Sequence, residues 1–163
     1  MTRDTFATLV ARVAARLTDR GYKLVTAESC TGGWVAEAMT SISGSSAWFE
    51  RGFVTYSDES KVELLGVRPE TLARYGAVSE ETAREMAAGA LERSRAQIAV
   101  AVTGIAGPTG GTPEKPVGMV CFAWAQLAGV SDSTRRQFGG DRESVRGQSV
   151  VTALEGLLER LQT

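Results

Sequence analysis

The order of hydrophobic patterns along the chain predicts an α/β fold, a sandwich layered around one sheet. Apolar residues at helical spacing alternate with short β-rich runs. Ile98 to Thr103 is an unbroken β-branched and alanine run, as expected of a central strand buried on both faces. Two glycine-rich stretches, Glu28 to Gly33 and Gly104 to Gly111, each come directly after a predicted strand, and open α/β sheets bind ligands at such strand ends. With 163 residues, 43% of them hydrophobic, the chain is long enough for one domain with a real core, expected to span residues 1–163.

Phe6, Leu9, Val10, Val13 and Leu17 predict an amphipathic helix over residues 5–20, with Asp4 as N-cap and Gly21 as its stop. Tyr22 to Thr26 reads as a strand, and Val35, Ala38, Met39 and Ile42 mark one face of the helix after the Ser29 loop. Small residues from Ile42 to Ser46 form a loop before a strand over Trp48 to Tyr56. Ser60 to Leu65 is a short helical turn ended by Gly66, Pro69 opens another that Gly76 breaks, and Ser79 caps a helix with Ala83, Met86, Ala87 and Ala90 on one face. Beyond the central strand and its loop, Val117 to Ala125 and Ser133 to Phe138 are strands. Gly139 to Arg142 then leads into a closing helix with Val150, Val151, Leu154, Leu157, Leu158 and Leu161 inward.

Composition removes several function classes. There is no histidine, which excludes Ser-His and Cys-His pairs, imidazole bases and imidazole metal ligands. Eighteen basic against nineteen acidic side chains, with arginines scattered among acids, argue against a nucleic-acid partner. No apolar run approaches the roughly 20 residues of a membrane span, and the start leads into an amphipathic helix instead of a signal core, so a soluble cytoplasmic protein is expected. Cys30 and Cys121 are too few for a disulfide framework or a cysteine zinc site and read as buried free thiols.

The stretch Ala27 to Gly33 brings a strand, a turn of small and hydroxylated residues, and a helix together, where backbone amides converge on an anion or oxyanion. Ser29 lies on that turn. Without imidazole, a serine is activated by a lysine of lowered pKa, a carboxylate or a tyrosinate. The lysines are Lys23, Lys61 and Lys115, and Lys61 stands just beyond the Phe49 to Tyr56 strand. Burial that makes the amine neutral is what such chemistry requires. Each residue taken alone also has an ordinary reading: Ser29 or Thr31 as a helix cap, Lys61 as a solvated helix residue, Tyr56 as packing, Arg142 as surface. The turn lacks both the Walker-loop ending and the dinucleotide fingerprint.

Several stretches together closely resemble the CinA carboxy-terminal domain family. They are Ala27 to Gly33, Gly44 to Phe49 with Arg51 to Ser57, Lys61, Gly76 to Ser79, Thr103 to Pro108, Lys115 to Gly118, and Gly140 to Arg142. The resemblance spans nearly the whole chain in order, and the chain looks like the stand-alone form of the family. The resemblance implies hydrolysis of the carboxamide of nicotinamide mononucleotide to nicotinate mononucleotide and ammonia in pyridine-nucleotide salvage. It further implies a three-layer α/β/α sandwich around one mostly parallel or mixed sheet, and a homodimer with no required metal or organic cofactor.

On this basis Ser29 is expected to be the nucleophile, Lys61 the general base, and Tyr56 the residue that assists proton transfer to the leaving ammonia. Thr31, Gly32, Gly33, Ser46, Thr103, Gly104, Gly107 and Arg142 are the expected substrate-binding residues, with the Thr103 to Gly107 loop and Arg142 holding the ribose phosphate. The amides of Thr31 to Gly33 are the expected oxyanion donors. Ser29, Ser46, Thr31, Tyr56 and Lys61 all qualify as catalytic members. Two other classes use the same loops: a nucleotide-binding regulatory module without turnover, and a serine-lysine hydrolase of other amides or peptides.

Overall fold

The computed structural model describes residues 3–129 and 131–162, with the side chains of residues 3–5 outside that description, and with them the expected Asp4 cap. Six α-helices and five strands succeed one another as α1 (Arg3–Arg20), β1 (Leu24–Glu28), α2 (Trp34–Met39), β2 (Phe49–Val54), α3 (Asp58–Leu65), α4 (Pro69–Tyr75), α5 (Glu80–Glu92), β3 (Ile98–Gly104), β4 (Met119–Gln126), β5 (Asp132–Gln137) and α6 (Arg142–Arg160). The sheet runs β2-β1-β3-β4-β5. The pairs β1–β2 and β1–β3 are parallel, whereas β3–β4 and β4–β5 are antiparallel, so the sheet is mixed. The three-layer sandwich is present as expected.

The strand alternation separates two cores of different grain. On one face Leu24, Ile98, Val100, Val102, Phe122 and Trp124 meet α1, α2 and α6 through Val10, Val13, Leu17, Leu154 and Leu157. On the other, Val25, Ala27, Ala99, Ala101, Cys121 and Ala123 meet α5 through Ala83, Met86, Ala87 and Ala90. Small side chains on both partners let α5 lie close against the sheet. The closeness extends to α3: a Cβ on Gly89 would collide with the Leu65 carbonyl.

Element ends differ from the sequence reading by a residue or two, except that α2 stops at Met39 and leaves Ile42 in a loop. Its N-terminus is set by Gly33 at φ 103, a conformation that suits glycine. Ile98 to Thr103 is indeed buried throughout and central. β5 is an exposed edge whose Arg135 and Arg136 discourage further strand pairing. Among the described residues no helix is long and apolar enough to cross a membrane.

Candidate active site

β1 enters its last residue with every side chain buried, and the sheet continues just long enough to anchor the turn beyond it. Thr55 donates its amide to the Glu28 carbonyl (2.8 Å), and Ser29 donates its own to Val102 (2.9 Å). The chain then turns, closed by the Gly32 amide on the Ser29 carbonyl at 3.0 Å. Side chains alternate across β1, which sends Glu28 toward α2 and Ser29 toward α3.

Glu28 is 1% exposed. One carboxylate oxygen accepts from the Thr31 hydroxyl (2.6 Å) and the Val35 amide (2.8 Å), the other from the Ala36 amide (3.0 Å). A buried acid satisfies the first amides of α2 and locks the turn that carries Ser29.

α3 is built to present a lysine inward. Ser57 caps it by accepting from the Ser60 amide, Asp58 and Glu59 favour its first turn, and Gly66 ends it at φ 69. Lys61 lies one turn before Leu65 and therefore shares that residue's buried face. It is 1% exposed. Its Nζ is 2.9 Å from Ser29 Oγ, and it donates to the Thr55 carbonyl at 2.8 Å and the Tyr56 carbonyl at 3.3 Å. Burial pushes the amine below the ordinary lysine value, opposed by the Asp58 carboxylate and then by Cys30. The two carbonyls can only accept, which commits two N–H bonds to them and leaves the third direction for the serine hydroxyl. In the neutral amine that direction is the lone pair.

Ser29, Lys61 and Tyr56 open into one cleft of about 260 Å³, whose far wall is the Thr103 to Gly107 segment with Arg142. Tyr56 is 60% exposed. Arg142 donates to its hydroxyl (3.1 Å) and to the Gly107 carbonyl (2.9 Å), so the first residue of α6 ties the two walls together. The Thr103 hydroxyl donates to the Ala77 carbonyl at 2.9 Å. Cys30 also lines the cleft, but burial pushes its thiol up to about 12, which leaves it a poor rival to Ser29 as nucleophile. A larger hollow of about 520 Å³ between α1 and α6 has Arg12, Glu155 and Glu159 on its rim, and among the described residues no serine, cysteine or lysine lines it.

Ser29, Lys61, Tyr56, Thr103, Gly104, Gly107 and Arg142 are thus brought together as the sequence reading expected. Four other residues are not. The Thr31 side chain is fully buried with its hydroxyl bonded to Glu28, so that side chain is framework. Gly32 and Gly33 shape the turn at φ 60 and φ 103 without lining the cleft, and the Gly32 amide is already taken by Ser29. Ser46 lies exposed on a 3-10 turn ahead of β2, at the opposite end of the sheet from Ser29. Ala77 and Val78 line the cleft from a stretch that carried the family resemblance without being named as site residues, and Arg146, which donates to the Cys30 and Thr31 carbonyls (3.1 Å each), escaped the sequence reading.

The family model for the CinA C-terminal domain matches residues 6–161. Over 160 residues the chain is 54% identical to nicotinamide-nucleotide amidohydrolase PncC of Escherichia coli K12, covering 98% of this chain and 97% of that one. It is 51% identical to the protein of the same name from Pseudomonas putida, covering 96% and 97%. The crystal structure of the competence/damage inducible protein CihA from Agrobacterium tumefaciens superposes with a TM-score of 0.94 at 49% identity, over 98% of this chain and 96% of that one.

Proposed function

The chain belongs to the CinA C-terminal domain family, and we propose that it is a nicotinamide-nucleotide amidohydrolase, which hydrolyses the carboxamide of nicotinamide mononucleotide to nicotinate mononucleotide and ammonia. Full-length likeness to enzymes of that name supports the substrate. The observation that carries the chemistry is Lys61 Nζ at 2.9 Å from Ser29 Oγ in a chain without histidine.

Ser29 Oγ attacks the amide carbon while its proton passes to the Lys61 lone pair. The tetrahedral intermediate collapses as that proton is delivered to the departing nitrogen, with Tyr56 assisting, and ammonia leaves an ester on Ser29. Water, deprotonated by the same amine, attacks the ester and frees the carboxylate product and the hydroxyl. Arg142 accounts for Tyr56's part: by donating to the phenol oxygen it leaves the phenolic proton free to be given. Its guanidinium also stands at the cleft wall where a ribose phosphate would meet a planar fork, beside Thr103, Gly104 and Gly107.

We further propose that the protein works as a homodimer in the cytoplasm. Two buried free thiols fit a reducing compartment, and Val54 on the edge strand β2 and Leu64 on α3 are exposed apolar side chains that a second copy could cover.

Ammonia release by the purified protein from nicotinamide mononucleotide, compared with free nicotinamide, tests the reading. Turnover should be at least about a hundredfold more efficient on the nucleotide, because remote phosphate binding positions the amide. Binding without ammonia release would instead make the chain a nucleotide-binding module.

A further inference from the structure

The turn that carries Ser29 is gripped from outside by a cation. Arg146, on the second turn of α6, donates from Nε to the Cys30 carbonyl and from Nη2 to the Thr31 carbonyl, both at 3.1 Å. Its guanidinium lies 5.6 Å from the centroid of the Trp34 ring, and it makes no ion pair with a carboxylate among the described residues. A half-buried guanidinium bonded to two successive carbonyls, with no acid to neutralise it, acts on the peptide groups of the turn itself.

The direction of that action is set by peptide geometry. These peptide bonds are trans, so each N–H points away from the C=O of its own unit. Holding the Cys30 and Thr31 carbonyls toward α6 aims the Thr31 and Gly32 amides the other way. The Gly32 amide does point back, donating to the Ser29 carbonyl at 3.0 Å. The Thr31 amide has no hydrogen-bond partner among the described residues, so its N–H, turned away from α6 by the trans peptide, is left open for a new acceptor. The sheet faces agree: α6 packs on one side, and Lys61 reaches Ser29 from the other.

We infer that Arg146 is a positioning residue for the reaction, fixing and polarising the Thr31 amide as a donor to the oxyanion that forms when Ser29 attacks. The inference rests on the amidohydrolase reading above. A carbonyl that accepts from a cation makes the N–H of the same peptide unit a better donor, since bonds in a chain polarise one another at low local dielectric. The charge being stabilised exists only beyond the ground state, so the effect falls on kcat and hardly on KM. Arg146 is not among the groups that displace the Lys61 amine, so the pH at which activity rises stays where it is.

The test is ammonia release from nicotinamide mononucleotide by Arg146→Ala and Arg146→Gln across pH, with melting monitored in parallel. In Arg146→Ala, kcat should fall by about a hundredfold, the scale seen when an oxyanion donor is lost. KM should stay within about threefold and the pH midpoint should not move. Added guanidinium ion should restore part of the rate in Arg146→Ala and none in the wild type. Wild-type kcat in either variant, a loss confined to KM, or a displaced pH midpoint overturns the inference. If Arg146→Ala does not fold, Arg146→Gln, which keeps a donor but no charge, is held to the same kcat, KM and pH outcomes. A wild type that releases no ammonia brings down the amidohydrolase reading and this inference with it, whereas active wild type with equally active variants brings down this inference alone.

Discussion

Glu28 and Lys61 are both 1% exposed, both flank Ser29, and lie on opposite faces of the same sheet, yet they are held in opposite ways. The acid receives three donors, all from the turn and helix directly after it in sequence. The amine has two inert carbonyls and one hydroxyl, and the hydroxyl opens into a cleft. Burying a charge is expensive in either case. The difference is whether every bond made in return is structural, or one is left to a group that can react. Glu28 is a peg; Lys61 is placed to act as a base.

The sharpest way to break this contrast is to remove each side chain in turn. Lys61→Met should lower ammonia release by about a thousandfold or more, in line with loss of a general base acting on a covalent nucleophile. Its melting midpoint should stay within about 3 °C of wild type, because a buried charge is removed along with its bonds. Retained turnover would remove Lys61 from the chemistry.

Glu28→Ala should do the reverse. It orphans three buried donors and should reduce stability by about 3–5 kcal/mol, lowering the melting midpoint by about 10 °C. A protein that melts like wild type would show that the turn holds without its peg.

The smallest effect is in pH. The Lys61 amine must be neutral to accept a proton, so activity should rise with pH, with a midpoint below the ordinary lysine value of 10.5. Asp58→Asn removes the carboxylate that opposes the displacement and should move that midpoint to lower pH. Stability carries the same sign. Between the lowered folded value and 10.5 the unfolded chain holds a proton that the folded chain has released, so wild-type stability rises with pH across that window. Chemical denaturation at neutral and alkaline pH should therefore show wild type gaining on Lys61→Met, and a constant difference would mean an undisplaced amine.

Much of the fold was legible because its signals are local. Ile98 to Thr103 shows its double burial by having no polar face, and Ser79 shows a helix start by its capping chemistry. The absence of histidine narrowed the group beside Ser29 to a lysine, a carboxylate or a tyrosinate, and Lys61 was singled out by its place just beyond a strand in combination with the family resemblance. Lys61's burial has a signal too: it is four residues ahead of Leu65 on one helix face. Ser46 misled because a small-residue motif carries no record of which end of the sheet it occupies, and the parallel β1–β2 pairing settles that. Arg146 lay beyond reach since its partners are backbone carbonyls 115 and 116 residues away, which leave no mark on side-chain patterns.

The missing methyl at Gly89 bears on all of this from the far side of α5. With no side chain there, α3 rests with its Leu65 carbonyl against a bare helix backbone, and Lys61 extends from that same helix one turn earlier. The reach of the amine toward the serine is thus gauged by a gap, the way a shim left out sets the throw of a lever. A site that depends on such clearance can be retuned by one carbon atom placed nowhere near the substrate.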